Sequence, residues 1–255
     1  MKVAIFGAGA FGRAICQVLT ENGHQTAFFD PFIYPEATIS DVLQGTEAII
    51  LAMPSNAVPQ ILRQIPNNLP LIVATKGFLD SKIFADFDFS VVSGAGYASD
   101  IMKHDNTVLT ATSELIPDLL ETSYLKFELT PDANGVLICG ALKNVYAIGA
   151  GMLGLKPGTA ELIQYVSEAT DELSRILTVN GADANTAQLS CGKRDIELTC
   201  SSRSRNYQFG AGLIDSADAT VEGIATLKLL RAGATKIPAF ATILNKIIEE
   251  STKWV

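Results

Sequence analysis

Basic residues, histidine and cysteine are what this 255-residue chain has least of. Nineteen Lys and Arg stand against 27 Asp and Glu, a formal net charge of −8. That balance excludes a general nucleic-acid surface and adhesion to an anionic membrane, since both need basic patches. Two histidines, His24 and His104, and four cysteines, Cys16, Cys139, Cys191 and Cys200, with no CxxC pair, exclude an ordinary zinc site, and no metal is expected. Reduced thiols in a cytoplasmic protein are the default for such cysteine usage. The longest uncharged apolar-or-glycine run, Val145 to Leu155, is about half of the roughly 20 residues that cross a bilayer, so no membrane span is expected. The apolar start, Val3 to Phe6, is broken by Gly7, Gly9, Gly12 and Arg13 before it reaches the length of a signal sequence. Against these absences, 48% of the residues are hydrophobic and 18% charged, enough for the core of one large domain or two modest ones.

The first motif follows at once. Lys2 to Phe6 reads as a short strand, Gly7-Ala8-Gly9-Ala10-Phe11-Gly12 as a glycine turn, and Arg13 to Asn22 as a helix stopped by Gly23. In such a turn the first glycine permits the tight bend, the second lets backbone approach a pyrophosphate, and the third lets helix pack close to strand. The helix N-terminus then offers free N–H groups and a positive dipole to the phosphates. Gln25 to Phe29 reads as the second strand and ends in Asp30, about 20 residues after the turn, where an acid accepts hydrogen bonds from an adenosine ribose. No arginine follows Asp30, which favours NAD over NADP, with NADP possible; the plainer reading is a surface acid at a turn. Strands over Ala48 to Met53, Leu69 to Ala74 and Phe89 to Val92 continue the pattern, and Thr107 to Thr112 and Tyr124 to Leu129 supply further strands at the sheet edge. Ligands of an open parallel sheet bind beyond the carboxyl ends of its strands, which puts Lys76, in Thr75-Lys76-Gly77, on the ligand side or makes it an ordinary loop lysine.

At Thr130-Pro131-Asp132 the pattern changes to helix, with a capping threonine, a proline suited to the first helical position and an acid in the first turn. Asn134 to Leu153 reads as a central buried helix. Ala160 to Asn180 has apolar residues at Leu162, Ile163, Val166, Ala169, Leu173, Ile176 and Leu177, and Val221 to Leu230 and Phe240 to Ile248 are also helical. The expected architecture is α/β, a Rossmann-type dinucleotide-binding domain over residues 1–130 followed by an all-α substrate-binding and catalytic domain over residues 131–255. A homodimer is the expected assembly.

Two stretches of the second half carry chemistry. Gly140-Ala141-Leu142-Lys143-Asn144-Val145 sets one cation on a helix whose neighbours are apolar or small. A partly desolvated lysine can exchange a proton in general acid–base chemistry on a carbonyl; the alternative is a lysine that snorkels to water. Asp195 to Cys200, followed by Ser201-Ser202-Arg203-Ser204-Arg205-Asn206, combines a carboxylate, hydroxyls, two guanidinium groups and an amide, either an anion site or a polar surface loop.

Taken together, the 7–12 turn, Thr75-Lys76-Gly77, Gly140 through Asn144, Asp195 through Thr199-Cys200, and Ser204-Arg205-Asn206 resemble the bacterial NAD(P)-dependent glycerol-3-phosphate dehydrogenases, in order over nearly the whole chain. The resemblance implies reversible hydride transfer between a nicotinamide cofactor and dihydroxyacetone phosphate, a small phosphorylated substrate. It implies that Lys143 is the acid/base and that Asp195 orients it. Thr199, Ser204, Arg205 and Asn206 would hold the substrate, with Arg205 on the phosphate. Lys76 would serve substrate and cofactor, and Gly7, Gly9, Ala10, Phe11, Gly12, Asp30, Ala98, Arg205 and Glu222 match cofactor-contacting positions.

The chain departs from that pattern in two places. Ser93-Gly94-Ala95-Gly96-Tyr97-Ala98 stands where the family usually has Ser-Gly-Pro-Ser-Phe-Ala, and Gly192-Lys193-Arg194 where it tends to have Gly-Leu-Gly. These changes, with trimmed segments after Asp30 and towards the C-terminus, leave two alternatives: a related dehydrogenase for another small ketone or oxo acid, or a dinucleotide-binding protein without catalysis.

Overall fold

The computed structural model describes residues 1–214 and 221–253. By its internal contacts the chain divides into two compact units, one of residues 1–76 and 81–133 and the other of residues 77–80 and 134–255.

The first unit is built on seven strands: β1 (Lys2–Phe6), β2 (Gln25–Phe29), β3 (Ala48–Leu51), β4 (Leu71–Val73), β5 (Phe89–Ser93), β6 (Thr107–Ala111) and β7 (Leu125–Leu129). They lie in the order β2-β1-β3-β4-β5-β6-β7. The first five are parallel, β6 runs antiparallel to β5, and β7 is again parallel to β6. Five short or medium helices connect them: α1 (Ala10–Glu21), α2 (Ile39–Leu43), α3 (Val58–Leu62), α4 (Ala98–Met102) and α5 (Leu115–Leu120). Residues of β1, β3 and β4 are buried almost without alternation, because helices cover both faces of a parallel sheet. One face packs Ile5, Ile50, Ile72 and Val92 against Ile15, Val18 and Leu19 of α1, Ile101 of α4 and Leu119 of α5. The chain leaves β1 in one direction to form β2 and in the other to form β3, so the topological switch lies at β1. In the commonest dinucleotide fold another strand lies outside the second one. Here β2 is the edge of the sheet, and the segment after it is short.

The strand register aligns the carboxyl ends. Phe6 pairs with Phe29 on one side and with Leu51 on the other, and the chain continues the ladder with Gly7 N–H to Phe29 O (2.9 Å), Ala52 N–H to Phe6 O (2.8 Å) and Ala74 N–H to Leu51 O (2.9 Å). Gly7, Asp30, Ala52 and Ala74 therefore stand at one level, with Lys76 two residues beyond.

The second unit is helical: α6 (Ala133–Met152), α7 (Ala160–Val179), α8 (Asp195–Thr199), α9 (Arg205–Gly210), α10 (Glu222–Arg231) and α11 (Thr242–Glu250). Among the described residues α6 is the one helix long and apolar enough to cross a membrane, but it is a core helix. Every residue from Gly135 to Gly151 except Gly140 is buried. Its approach to α9 is so close that a Cβ on Gly210 would lie 2.0 Å from the Ile148 carbonyl oxygen, and one on Gly151 would lie 2.2 Å from that of Tyr207.

Three details differ from the sequence reading. The helix expected from Pro131 starts at Ala133; Thr130 instead closes a turn by accepting from the Asp132 N–H at 3.3 Å. Short helices α2 to α5 were not legible because each is barely more than a turn, too short for a periodic pattern. On α7, Ile163 faces outward at 63% exposure, while Glu172 sits on the buried face at 1%. The carboxylate has taken an apolar position because it has work there. It accepts the Tyr146 hydroxyl of α6 (3.2 Å) and the Ile243 and Leu244 N–H groups (both 2.9 Å) that open α11. Those two amides have no partner within their own helix. Glu172 thereby ties α6, α7 and α11 together, and Tyr165 adds a bond to the Tyr146 carbonyl at 2.8 Å. Glu172→Ala leaves two buried N–H groups and a hydroxyl unsatisfied and should cost roughly 3 kcal/mol or more of stability; urea unfolding of the variant beside the parent protein measures it.

Candidate active site

In the first unit the glycine turn is fixed by backbone conformation and close packing. Gly7 has φ of +107°, which L side chains rarely adopt, and a Cβ at Gly12 would lie 2.0 Å from the Gly7 carbonyl oxygen. Both positions therefore require glycine. Gly9 is the opposite case: nothing lies within 4 Å of where its Cβ would be, so the turn presents open backbone at the start of α1. Gly9 and Ala10 are exposed there, and α1 makes no capping bond from the Gly9 position, so the amides of its first turn are available to an anion. This geometry fits a dinucleotide pyrophosphate. The Asp30 carboxylate at the end of β2 braces the turn by accepting the Ala8 N–H at 2.9 Å.

Lys76 sits at the same strand ends. Its ammonium lies 5.5 Å from the centroid of the Phe11 ring, and the Thr75 hydroxyl before it donates to the Leu51 carbonyl at 3.1 Å. A cation on an aromatic face gains electrostatic stabilisation from the ring. Ala98 opens α4 and packs, half-buried, against the sheet core. Gly96 has a steric reason to be glycine: a Cβ there would lie 2.7 Å from Thr107 Cγ2 and 3.2 Å from Leu109 Cδ2. β6 side chains fill the space that a serine would need.

In the second unit the central feature is an ion pair. Lys143 Nζ donates to Asp195 Oδ2 at 2.6 Å, with the two residues 5% and 1% exposed. Lys143 is therefore no snorkelling lysine; it is turned into the helical core and met by a carboxylate from α8. A one-turn π-helix, Ser190–Arg194, leads into α8, with Lys193 and Arg194 exposed and Asp195 and Ile196 buried. The two added cations thus face solvent while the next side chain turns inward. The Thr199 hydroxyl donates to the Asp195 carbonyl one turn back, holding α8 where the carboxylate is needed.

Beside the pair runs a chain of amides. Asn206 on α9 donates to Asn144 Oδ1 at 3.0 Å and accepts the Gly223 N–H of α10 at 2.8 Å. Asn144, adjacent to Lys143, donates to Glu222 Oε2 at 3.4 Å. Asn206, expected from the sequence as a substrate contact, thus also fixes α9 and α10 to α6. Asn144 entered the sequence reading only as part of the Gly140-to-Asn144 motif and was given no role, although an amide inside so apolar a helix was a usable signal. Ser204 is buried at the start of α9, and Arg205, the first residue of that helix, is exposed.

Burial sets the character of the remaining titratable groups. The Cys200 thiol is pushed well up, first by burial and then by the nearby Glu197 carboxylate, so it is no nucleophile. Tyr146 and Tyr165 are held well above the ordinary phenol range, chiefly by burial and then by neighbours that include Glu172. All four cysteines are free, and among the described residues no group of His, Cys, Asp and Glu is arranged to hold a metal.

The same segments match known proteins. The family model for the NAD-dependent glycerol-3-phosphate dehydrogenase C-terminus matches residues 132–253, which include Lys143, Asp195 and Arg205. A glycerol-3-phosphate dehydrogenase [NAD(P)+] of Pseudomonas savastanoi pv. phaseolicola is 30% identical over 297 residues, covering 95% of this chain and 87% of the relative. This chain belongs to the glycerol-3-phosphate dehydrogenase family. A relative of the same name from Levilactobacillus brevis is 29% identical, covering 97% of this chain and 93% of its own. Among solved structures, glycerol-3-phosphate dehydrogenase from Coxiella burnetii has a TM-score of 0.82 at 20% identity, over 99% of this chain and 98% of that one, a likeness of fold. The fold is thus the expected Rossmann-type domain followed by a helical one.

The energetics of the pair are testable. Asp195→Asn leaves the Lys143 ammonium buried without a counter-charge and should destabilise the protein by about 3–5 kcal/mol, whereas Lys143→Met combined with Asp195→Leu should restore stability to near the parent value. Chemical unfolding of the single and double variants measures both.

Proposed function

We propose that this chain catalyses the reversible NAD(P)H-dependent reduction of dihydroxyacetone phosphate to sn-glycerol 3-phosphate, with Lys143 as the acid/base. The observation that carries the reading is the buried Lys143–Asp195 pair at 2.6 Å within the family-matched segment. Domain 1–130 holds the dinucleotide through Gly7, Gly9, Ala10, Phe11, Gly12 and Asp30, with Ala98 as a further contact. Domain 131–255 supplies the substrate groups and Glu222.

The nicotinamide, when bound, supplies the hydride to the central carbon. As the carbonyl π bond breaks, negative charge gathers on its oxygen, and the Lys143 ammonium donates a proton there, so that one C–H and one O–H bond form. In the reverse direction the neutral amine takes that proton back. A fixed ammonium in a site screened from water also stabilises the developing alkoxide electrostatically, without reorganisation. Asp195 aims Nζ, and Thr199 holds the backbone that carries Asp195. Arg205, exposed at the first turn of α9, suits the substrate phosphate because guanidinium meets phosphate in a two-pronged fashion. Ser204 and Asn206 complete the substrate contacts, and Lys76 serves both substrate and cofactor. A cytoplasmic homodimer is the accompanying reading, supported by apolar side chains such as Leu153, Ile163 and Leu213 that remain exposed on the helical unit.

Lys143→Met should lower kcat by roughly 10²- to 10⁴-fold while leaving the affinity for NADH within about twofold. Near-full turnover in that variant would sink the assignment. Arg205→Ala should raise KM for dihydroxyacetone phosphate about 10- to 100-fold, the worth of a lost charge-assisted contact. Unphosphorylated dihydroxyacetone, tried beside it, should be turned over poorly by both proteins.

A further inference from the structure

The helical unit holds a cavity that the proposed reaction does not use. It has a volume of about 260 Å³ and lies between α6, α7 and α11, and neither Lys143 nor Asp195 lines it. Gly149, Tyr165 and Ile247, all buried, form its inner end. The helices meet there: a Cβ on Gly149 would lie 2.5 Å from Ile247 Cδ1 and 2.6 Å from the Tyr165 hydroxyl oxygen. That hydroxyl donates to the Tyr146 carbonyl at 2.8 Å, which fixes the Tyr165 ring in place. Met152 and Ile243 line the cavity while only half-buried, so the packing loosens towards solvent. The rim carries opposite charges, the exposed Glu168 of α7 and the exposed Lys246 of α11. No ion pair joins them. Glu168 Oε1 accepts the Gln164 side-chain amide at 2.8 Å, and among the described residues the Lys246 ammonium has no hydrogen-bond or ion-pair partner.

We infer that this cavity binds the free zwitterion of an α-amino acid with an apolar aromatic side chain: the ring enters between α6, α7 and α11, the carboxylate meets Lys246 and the ammonium meets Glu168. A pocket with an apolar interior and a few polar groups at its mouth is the usual form of a small-molecule site. The size fits. A dry apolar cavity of about 150 Å³ already takes up a benzene ring, so this one has room for an aryl group and the carbons that join it to the charged end. The Tyr165 ring and the Met152 thioether are favourable neighbours for an aromatic guest. The rim selects the rest of the molecule. An aryl acid would leave Glu168 facing a second carboxylate, and an aryl amine would leave Lys246 facing a second ammonium. Only a molecule carrying both charges answers both groups.

The test is calorimetric titration of the whole protein with L-phenylalanine, beside 3-phenylpropionate, phenethylamine and glycine. Neither substrate nor cofactor is present, so the outcome is independent of the proposed reaction. L-Phenylalanine should bind saturably with a Kd near or below about 1 mM. 3-Phenylpropionate lacks the ammonium and phenethylamine the carboxylate, and each should bind at least about threefold more weakly. Glycine, without the ring, should not bind. Lys246→Met should weaken L-phenylalanine to the level of phenethylamine, and Glu168→Gln should weaken it to the level of 3-phenylpropionate. Both side chains are exposed, so both variants should melt as the parent does. Met152→Trp, which fills the cavity, should abolish binding. The absence of saturable heat with L-phenylalanine up to about 10 mM overturns the inference. So do analogues that bind as tightly as the zwitterion, or parent-like binding by the two charge variants. A sedimenting dimer that Met152→Trp dissociates and L-phenylalanine leaves intact would assign the cavity to a second copy of the chain, and overturns the inference as well.

Discussion

The buried pair of Lys143 and Asp195 is the constraint around which the helical unit is arranged. Two ions removed from water lose solvation worth several kcal/mol each, and their mutual attraction repays that only with close geometry and support from neighbours. Both conditions are met here. The contact is 2.6 Å, and α8 carries Asp195 on a turn secured by Thr199. A pair of apolar residues of similar volume would hold α6 to α8 at least as well. Stability alone is a weak reason to keep an ammonium in this core, whereas proton transfer to a carbonyl oxygen is a strong one.

The surrounding structure reads as support for that charge. Asn144, Asn206 and the Gly223 amide link α6, α9 and α10 beside it, and their polar atoms satisfy one another. Glu172 clamps α6, α7 and α11 through Tyr146 and two helix-opening amides. The interior of the helical unit thus carries a lysine, two carboxylates, two amides and two phenols, each held by a defined hydrogen bond. Among the described residues no buried side-chain nitrogen or oxygen lacks a partner. Such networks hold side chains in single positions, which acid–base chemistry at a fixed distance requires. The sheet unit works by a different principle. Strand registers bring Gly7, Asp30 and Ala74 to one level, and α1 starts there without a side-chain cap on its first-turn amides.

Where the sequence was legible, the reason was local. The strand, glycine turn and helix at residues 2–22 could be placed because backbone conformation and close packing demand glycine at positions 7 and 12. The long helices α6 and α7 were visible from length and apolar spacing. Lys143, Asp195 and Arg205 stood out as charges in motifs that resemble a known family. The less legible parts were non-local. Glu172 sits on the buried face of α7 because Tyr146 and two amides of α11 are brought to it, and nothing local in the sequence marks those partners. Asn206 looked only like a substrate contact until Asn144 and Gly223 were found to occupy its amide. Gly96 was only a departure from the family pattern until Thr107 and Leu109 were seen to fill the space beside it.

By itself the sequence determined the class of fold, the strand, glycine turn and helix at its start, the switch from sheet to helix near residue 130 and the identity of the acid/base candidate. These follow from short-range rules: glycine conformation, helical and strand periodicity, capping and the scarcity of cations. Tertiary structure alone decided that Lys143 is buried and paired, that Lys193 and Arg194 face water, that β6 runs against its neighbour, and that the Asp30 carboxylate braces the glycine turn by accepting the Ala8 N–H. Each of those outcomes depends on contacts between residues far apart in the chain. The free energy of a buried charge or amide is set by the partner that folding brings to it, and no local pattern records that partner.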